Sequence, residues 1–141
     1  MTQTDSAQTY VNALQTFSDA NLESFLALCA DDIDFRDPFN ETHTKAGFEK
    51  VLRHMLKQVK QLKFDVDQHW VDGDAMVVKW RFSGNVRFIG RLDIPGVSEV
   101  KFNETGLVSR HIDYWDANEH VTSRLPLLGW FVRLAMTPMK I

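Results

Sequence analysis

His111 and Asp113 stand two positions apart in the run Ser109-Arg110-His111-Ile112-Asp113-Tyr114-Trp115. In an extended strand such residues share a face, so an imidazole and a carboxylate would lie side by side. That pair can move a proton or orient a carbonyl, because imidazole titrates near neutrality. A carboxylate walled by Trp115 and Trp80 should resist ionisation, which suits an acid/base group. The same spacing also suits a purely structural pair. Val108, Arg110, Ile112 and Tyr114 form the strand's other face, and both faces mix polar with apolar residues. Alternation therefore does not decide which face turns inward. A further carboxylate, Asp37, precedes Pro38 at the end of an alternating run. It could serve chemistry or simply close a turn.

These groups need elements to position them. Tyr10, Val11, Leu14 and Phe17 recur at helical spacing and predict a helix over roughly 6–18. Leu22, Phe25, Leu26 and Cys29 predict a second, short one with Asn21 as its N-cap. Phe48, Val51, Leu52, Met55 and Val59 form the stripe of a third, near whose start Gly47 stands. Ile33 to Asp37 reads as a short strand ended by Pro38, and 39–45 as polar loop.

Most of the chain beyond the third helix reads as sheet. Leu62, Phe64, Val66, Gln68 and Trp70 are expected on one face, with Lys63, Asp65, Asp67 and His69 on the other. Asp72-Gly73-Asp74 signals a hairpin turn. Met76, Val78, Trp80 and Phe82 alternate with Val77, Lys79 and Arg81. Residues 83–96, with their Gly and Pro, read as irregular. Ser98, Val100 and Phe102 lead to a turn and a final strand over 107–115. An apolar helix over about 124–136 is expected to cover the cavity mouth or a second subunit.

Hairpin-linked strands with helices on one face make an α+β domain spanning 1–141. Long strands twist and curl, and a curled sheet covered by few helices leaves an apolar pocket. Trp70, Trp80, Phe102 and Trp115 are its expected walls, and Gln68 a polar contact.

The chain resembles the SnoaL-like branch of the nuclear transport factor 2 superfamily, with polyketide cyclases, ketosteroid isomerase and limonene epoxide hydrolase as relatives. The resemblance rests on Ala27-Leu28-Cys29-Ala30-Asp31-Asp32, Phe35-Arg36-Asp37-Pro38, Gly47 at a helix start, and Gly106 to Asp116. It implies a cone: a curved antiparallel or mixed sheet wrapped around three N-terminal helices, with a C-terminal helix added. It turns His111 and Asp113 into the pocket, with Asp113 as acid/base, His111 as its partner and Asp37 as an accessory group. It also implies a homodimer through the outer sheet face, where Arg110, Ile112 and Tyr114 would lie. The isomerase's two carbonyl-polarising positions fall here on Ala13 and Ser98, and Tyr10 lies one turn before Ala13. Epoxide hydrolysis needs an Arg-x-Asp that occurs only as Arg91-Leu92-Asp93, in the irregular stretch. Two functions arise as expectations. One is a cofactor-independent cyclase, isomerase or hydratase acting on a small hydrophobic substrate. The other is a carrier or interaction module without chemistry.

Bulk properties exclude other classes. Among 141 residues, 44% are hydrophobic and 25% charged, with a net charge of −3, ordinary for one globular domain. The acidic balance argues against nucleic acid as a partner. Cys29 is the only cysteine, so no intrachain disulfide can form, and its apolar neighbours suggest burial. No His/Cys/Asp spacing suggests a metal site, and no phosphate loop suggests a nucleotide. No cofactor is expected. Asn103-Glu104-Thr105 reads as a turn. The polar stretch Met1 to Gln8 lacks an apolar signal core and no segment suits a bilayer. A membrane partner is not expected, and a cytoplasmic location is expected by default.

Overall fold

A computed structural model describes residues 2–140. Helix α1 spans Gln3–Gln15 and starts earlier than its apolar stripe suggests. The cause is a capping box: the Thr2 side chain accepts from the Asp5 amide, and the Asp5 carboxylate accepts from the Thr2 amide. A 3-10 turn, Asp19–Asn21, leads into α2, Leu22–Leu26. Asn21 precedes α2 without capping it, since its amide donates to the Thr16 carbonyl instead. Strand β1, Cys29–Arg36, takes Cys29 out of the expected helix. The short β2, Glu41–Thr42, turns back along β1. Helix α3, Lys45–Gln58, is capped by the Thr44 hydroxyl, which accepts from the Gly47 amide.

The sheet continues with β3, Val59–Asp72; β4, Ala75–Val86; β5, Gly90–Phe102; and β6, Val108–Tyr114. Its order is β2-β1-β6-β5-β4-β3, and only β1 and β6 run parallel. The fold is thus the expected α+β cone with a mixed sheet. Tyr10, Leu14, Phe17, Phe25, Phe48 and Leu52 of the helical side pack against Phe35, Val78, Trp80, Phe82 and Val100 of the concave sheet face.

Two expectations about the sheet fail. Residues 83–96 are not irregular: Ser83 pairs with Asp93 and Phe82 with Ile94, and only 87–89 form the connecting turn. Pro95 is tolerated because β6 pairs with β5 only from Val97 onward, so β5 is an edge strand there. In β3 a register shift falls between Val66 and Gln68. Val66 faces Trp80, but Gln68 then faces Lys79 and Trp70 faces Val77. One extra residue inverts the alternation, so Gln68 and Trp70 move to the convex face. Trp70 is 49% exposed.

Beyond β6 lie α4, Ala117–His120; a 3-10 turn, Thr122–Arg124; and α5, Leu128–Met136. The turn is held to the sheet by Arg124, whose guanidinium donates to the carbonyls of Ile89 and Arg91. Helix α5 rests mainly on this turn, leaving Leu127, Leu128, Trp130, Phe131 and Leu134 exposed. Among the described residues no helix is long and apolar enough to cross a membrane.

Candidate active site

Register brings the polar groups together. On the concave face Ser98 of β5 lies directly opposite Asp113 of β6, and Val100 lies opposite His111. Phe35 of β1 flanks His111 from the other side. The His111/Asp113 face therefore turns inward, beside fully buried Val100. His111 is only 4% exposed. Arg110 and Tyr114 are exposed on the other face, where Ile112 is buried.

A chain of hydrogen bonds runs through the site. Trp80 Nε1 donates to Ser98 Oγ at 2.7 Å, and Ser98 Oγ donates to Asp113 Oδ1 at 2.5 Å. His111 Nε2 lies 2.7 Å from the same Oδ1, and Tyr10 Oη lies 2.7 Å from His111 Nδ1. The proton positions are set by the chemistry of the two ends. An indole N–H can only donate, so Ser98 must accept it and turn its own hydrogen to Asp113. Tyr10 is fully buried, and burial raises its phenol well above the ordinary value, so it holds its proton. That proton needs an acceptor, which His111 Nδ1 supplies. His111 is then the neutral Nε2–H tautomer and donates to Asp113. Asp113 Oδ1 accepts twice, while Oδ2 is left facing the cavity.

Gly96 makes this geometry possible. It lies opposite Trp80, and a Cβ built on it would fall 2.3 Å from Trp80 Cη2. The indole occupies the space a side chain would take, lying across β5 so that its nitrogen reaches Ser98.

The cavity has two adjoining chambers, an inner one of about 40 Å³ and an outer one of about 250 Å³, both open toward solvent. Asp37, Val51, Met55, Phe64, Trp80 and Asp113 line both. Ser98 and His111 line the inner chamber. Phe39, Asn40, His54, Leu92, Ile94 and Trp115 line the outer one. Phe64 meets Trp80 edge-on at 5.4 Å, and Phe39 meets Trp115 edge-on at 5.6 Å.

Asp37 sits where the chambers meet, as a turn residue. Its Oδ1 accepts from the amides of Phe39 and Asn40, both at 2.7 Å, and from Asn40 Nδ2. Its Oδ2 receives only a long contact of 3.3 Å from Asn40.

The structure brings together Asp113, His111, Asp37, Ser98, Trp80 and Trp115, and separates the others. Gln68 and Trp70 do not reach the cavity. Phe102 is buried but packs on the Tyr10 ring at 6.3 Å instead of lining a chamber. Tyr10 acts behind His111 and does not face the cavity. Arg91 and Asp93 lie on the exposed side of β5, where Asp93 pairs with Arg81 at 3.0 Å. Helix α5 contributes nothing to either chamber, although Val121 before it does. Burial pushes the Cys29 thiol up to about 12, fitting an inert core role. Among the described residues no three His, Cys, Asp or Glu gather in a metal-binding group.

Sequence reading missed Phe39, Asn40 and His54. The aromatic residue inside an otherwise polar loop was the available signal for the first. Leu92 and Ile94 were hidden by the misread strand.

The SnoaL-like domain family matches residues 7–111. No curated protein matches the chain. Similar solved structures include a Catenulispora acidiphila protein with a ketosteroid isomerase-like fold in complex with trimethylamine. That structure has a TM-score of 0.73 and 13% identity, covering 92% of this chain and 98% of the other. An LEH-like epoxide hydrolase from M. tuberculosis has a TM-score of 0.67 and 16% identity, covering 98% and 96%. TsrD from Streptomyces laurentii has a TM-score of 0.68 and 20% identity, covering 79% and 89%. At these identities the likeness is one of fold.

Proposed function

The chain belongs to the SnoaL-like domain family, and we propose that it is a cofactor-independent acid/base enzyme acting on a small, largely apolar substrate. Asp113 is the proton-transferring group. The observation that carries this reading is the asymmetry of its carboxylate: Ser98 and His111 both bond Oδ1, and Oδ2 faces the cavity. A base works best when its reactive atom is held without being engaged. His111 is the positioning residue, set by Tyr10, and Ser98 is set by Trp80. The apolar walls lower the polarity around the developing charge. Isomerisation, cyclisation and hydration all begin with such a proton transfer next to a carbonyl or alkene.

The test is hydrogen–deuterium exchange at the carbon next to the carbonyl of 2-tetralone, monitored by proton NMR in heavy water. The protein should accelerate exchange, and Asp113→Asn should slow it by about 10²–10⁴-fold. Binding of 2-tetralone by both forms with exchange no faster than in buffer would support the carrier reading and overturn this one.

We further propose a homodimer through the convex sheet face. Supporting it, Trp70 pairs with Val77 and Val97 with Tyr114, and all four are exposed apolar or aromatic residues there.

A further inference from the structure

The charge lining the cavity bears on what it accepts. Both chambers contain the carboxylates of Asp37 and Asp113, and no Lys or Arg lines either among the described residues. His111 is neutral by its hydrogen bonds. A carboxylate or phosphate ligand would meet like charge, with His54 at the outer chamber as the one basic side chain there among the described residues. An organic cation would meet the reverse.

The two carboxylates are not equivalent toward such a cation. Asp113 keeps one oxygen for proton transfer. Asp37 is held rigidly through Oδ1 by two backbone amides and a side-chain amide, while Oδ2 retains acceptor capacity. Beside it stand Phe39 and Trp115, in edge-to-face contact at the outer chamber. Aromatic faces attract alkylated ammonium groups, which are weakly hydrated and bring apolar surface with their charge. A carboxylate with adjoining aromatic rings is a receptor for that chemistry.

We propose that the outer chamber binds an ammonium group, held by Asp37 Oδ2 and the rings of Phe39 and Trp115, so that the substrate class is an apolar molecule bearing an alkylated amine. The inference deepens the acid/base reading and rests on it for the division of roles: Asp37 anchors charge and Asp113 transfers the proton.

The test compares choline with 3,3-dimethylbutan-1-ol, which replaces the charged nitrogen by carbon and keeps the shape. Dissociation constants are read by NMR titration of the whole protein. Choline should bind at least about tenfold tighter, the range of a desolvated cation–aromatic contact. Asp37→Asn, which keeps an oxygen for the Phe39 and Asn40 amides, should bring the two probes to parity. Equal or tighter binding of the alcohol by the unmodified protein, or a preference for choline that survives Asp37→Asn, would overturn the proposal. These readouts need no turnover. Charge preference without 2-tetralone exchange overturns the acid/base reading alone, and exchange without charge preference overturns this one alone.

Discussion

Asp113 and Asp37 line one cavity from two different kinds of backbone. Asp113 lies on β6, flanked by β1 and β5, and its neighbours are side chains with their own partners. Asp37 lies just past the end of β1, and its two shortest bonds come from the backbone amides of the turn it closes. The difference is chemical as well as structural. A side-chain network anchored by two donors determines where each proton sits, so it can select a tautomer and leave one carboxylate oxygen available. A turn determines only where a charge sits. The inner end of the pocket is therefore suited to moving protons, and the mouth to holding a fixed charge.

The sharpest way to break this contrast is at Gly96, which reaches the inner network through the Trp80 indole. In Gly96→Ala the new Cβ falls 2.3 Å from the Trp80 ring, so the indole must leave its seat. Overpacking of this kind costs about 1–3 kcal/mol, and losing the bond to Ser98 adds about 1 kcal/mol. Urea denaturation should show a loss of about 2–4 kcal/mol. Exchange of 2-tetralone should fall with it, because Ser98 is then free to turn away from Asp113. Stability within about 0.5 kcal/mol of the parent would mean that the indole has room elsewhere and does not set the network.

A smaller effect is expected at the far end of the same chain. Tyr10→Phe leaves the buried Nδ1 of His111 without a donor, at a cost of about 1–3 kcal/mol. Nitrogen NMR of the imidazole should show the Nε2–H tautomer in the parent and a mixture in the variant. The pH dependence reports the burial of the same phenol. Tyr10 is raised above its unfolded value of 10.0, and Cys29 from 9.0 to about 12. The folded chain thus keeps protons that the unfolded chain releases, so stability is full below about pH 9 and falls as pH rises from there toward 12. In Tyr10→Phe the part of that fall above pH 10 should shrink. An unchanged profile would mean that burial does not hold the phenol above its ordinary value.

Much of the inner end was legible in the sequence, and the reason is periodicity. His111 and Asp113 share a face by spacing alone, and resemblance supplied the direction of that face. Ser98 was marked only by resemblance, as a place where an acidic residue was missing. Its true role depends on cross-strand register, and the misreading of 83–96 obscured where β5 begins. The β3 bulge was harder still: alternation from Leu62 to Trp70 looks regular, and only the polar Gln68 among apolar residues hinted at a shift. Tyr10 could be placed on a helix face but not at a distance from His111, which lies 101 positions along the chain. At the mouth, Asp37 before Pro38 announced a turn, and a turn is what it closes. That Phe39 from that turn would meet Trp115 is a tertiary contact with no local signal.

The gentlest test concerns that turn. Asp37→Ala removes the acceptor shared by the Phe39 and Asn40 amides, whereas Asp37→Asn keeps it. The amides can turn to water at this partly exposed site, so the alanine variant should lose only about 1 kcal/mol and the asparagine variant a few tenths. Thermal unfolding of the two beside the parent measures the gap between them. A gap near 1 kcal/mol assigns the turn to the oxygen and leaves the charge surplus to folding, which is what a group reserved for a ligand requires. Equal losses in both variants would instead tie the charge itself to stability, and the reading of Asp37 as a charge held at the mouth for a ligand would lose its basis.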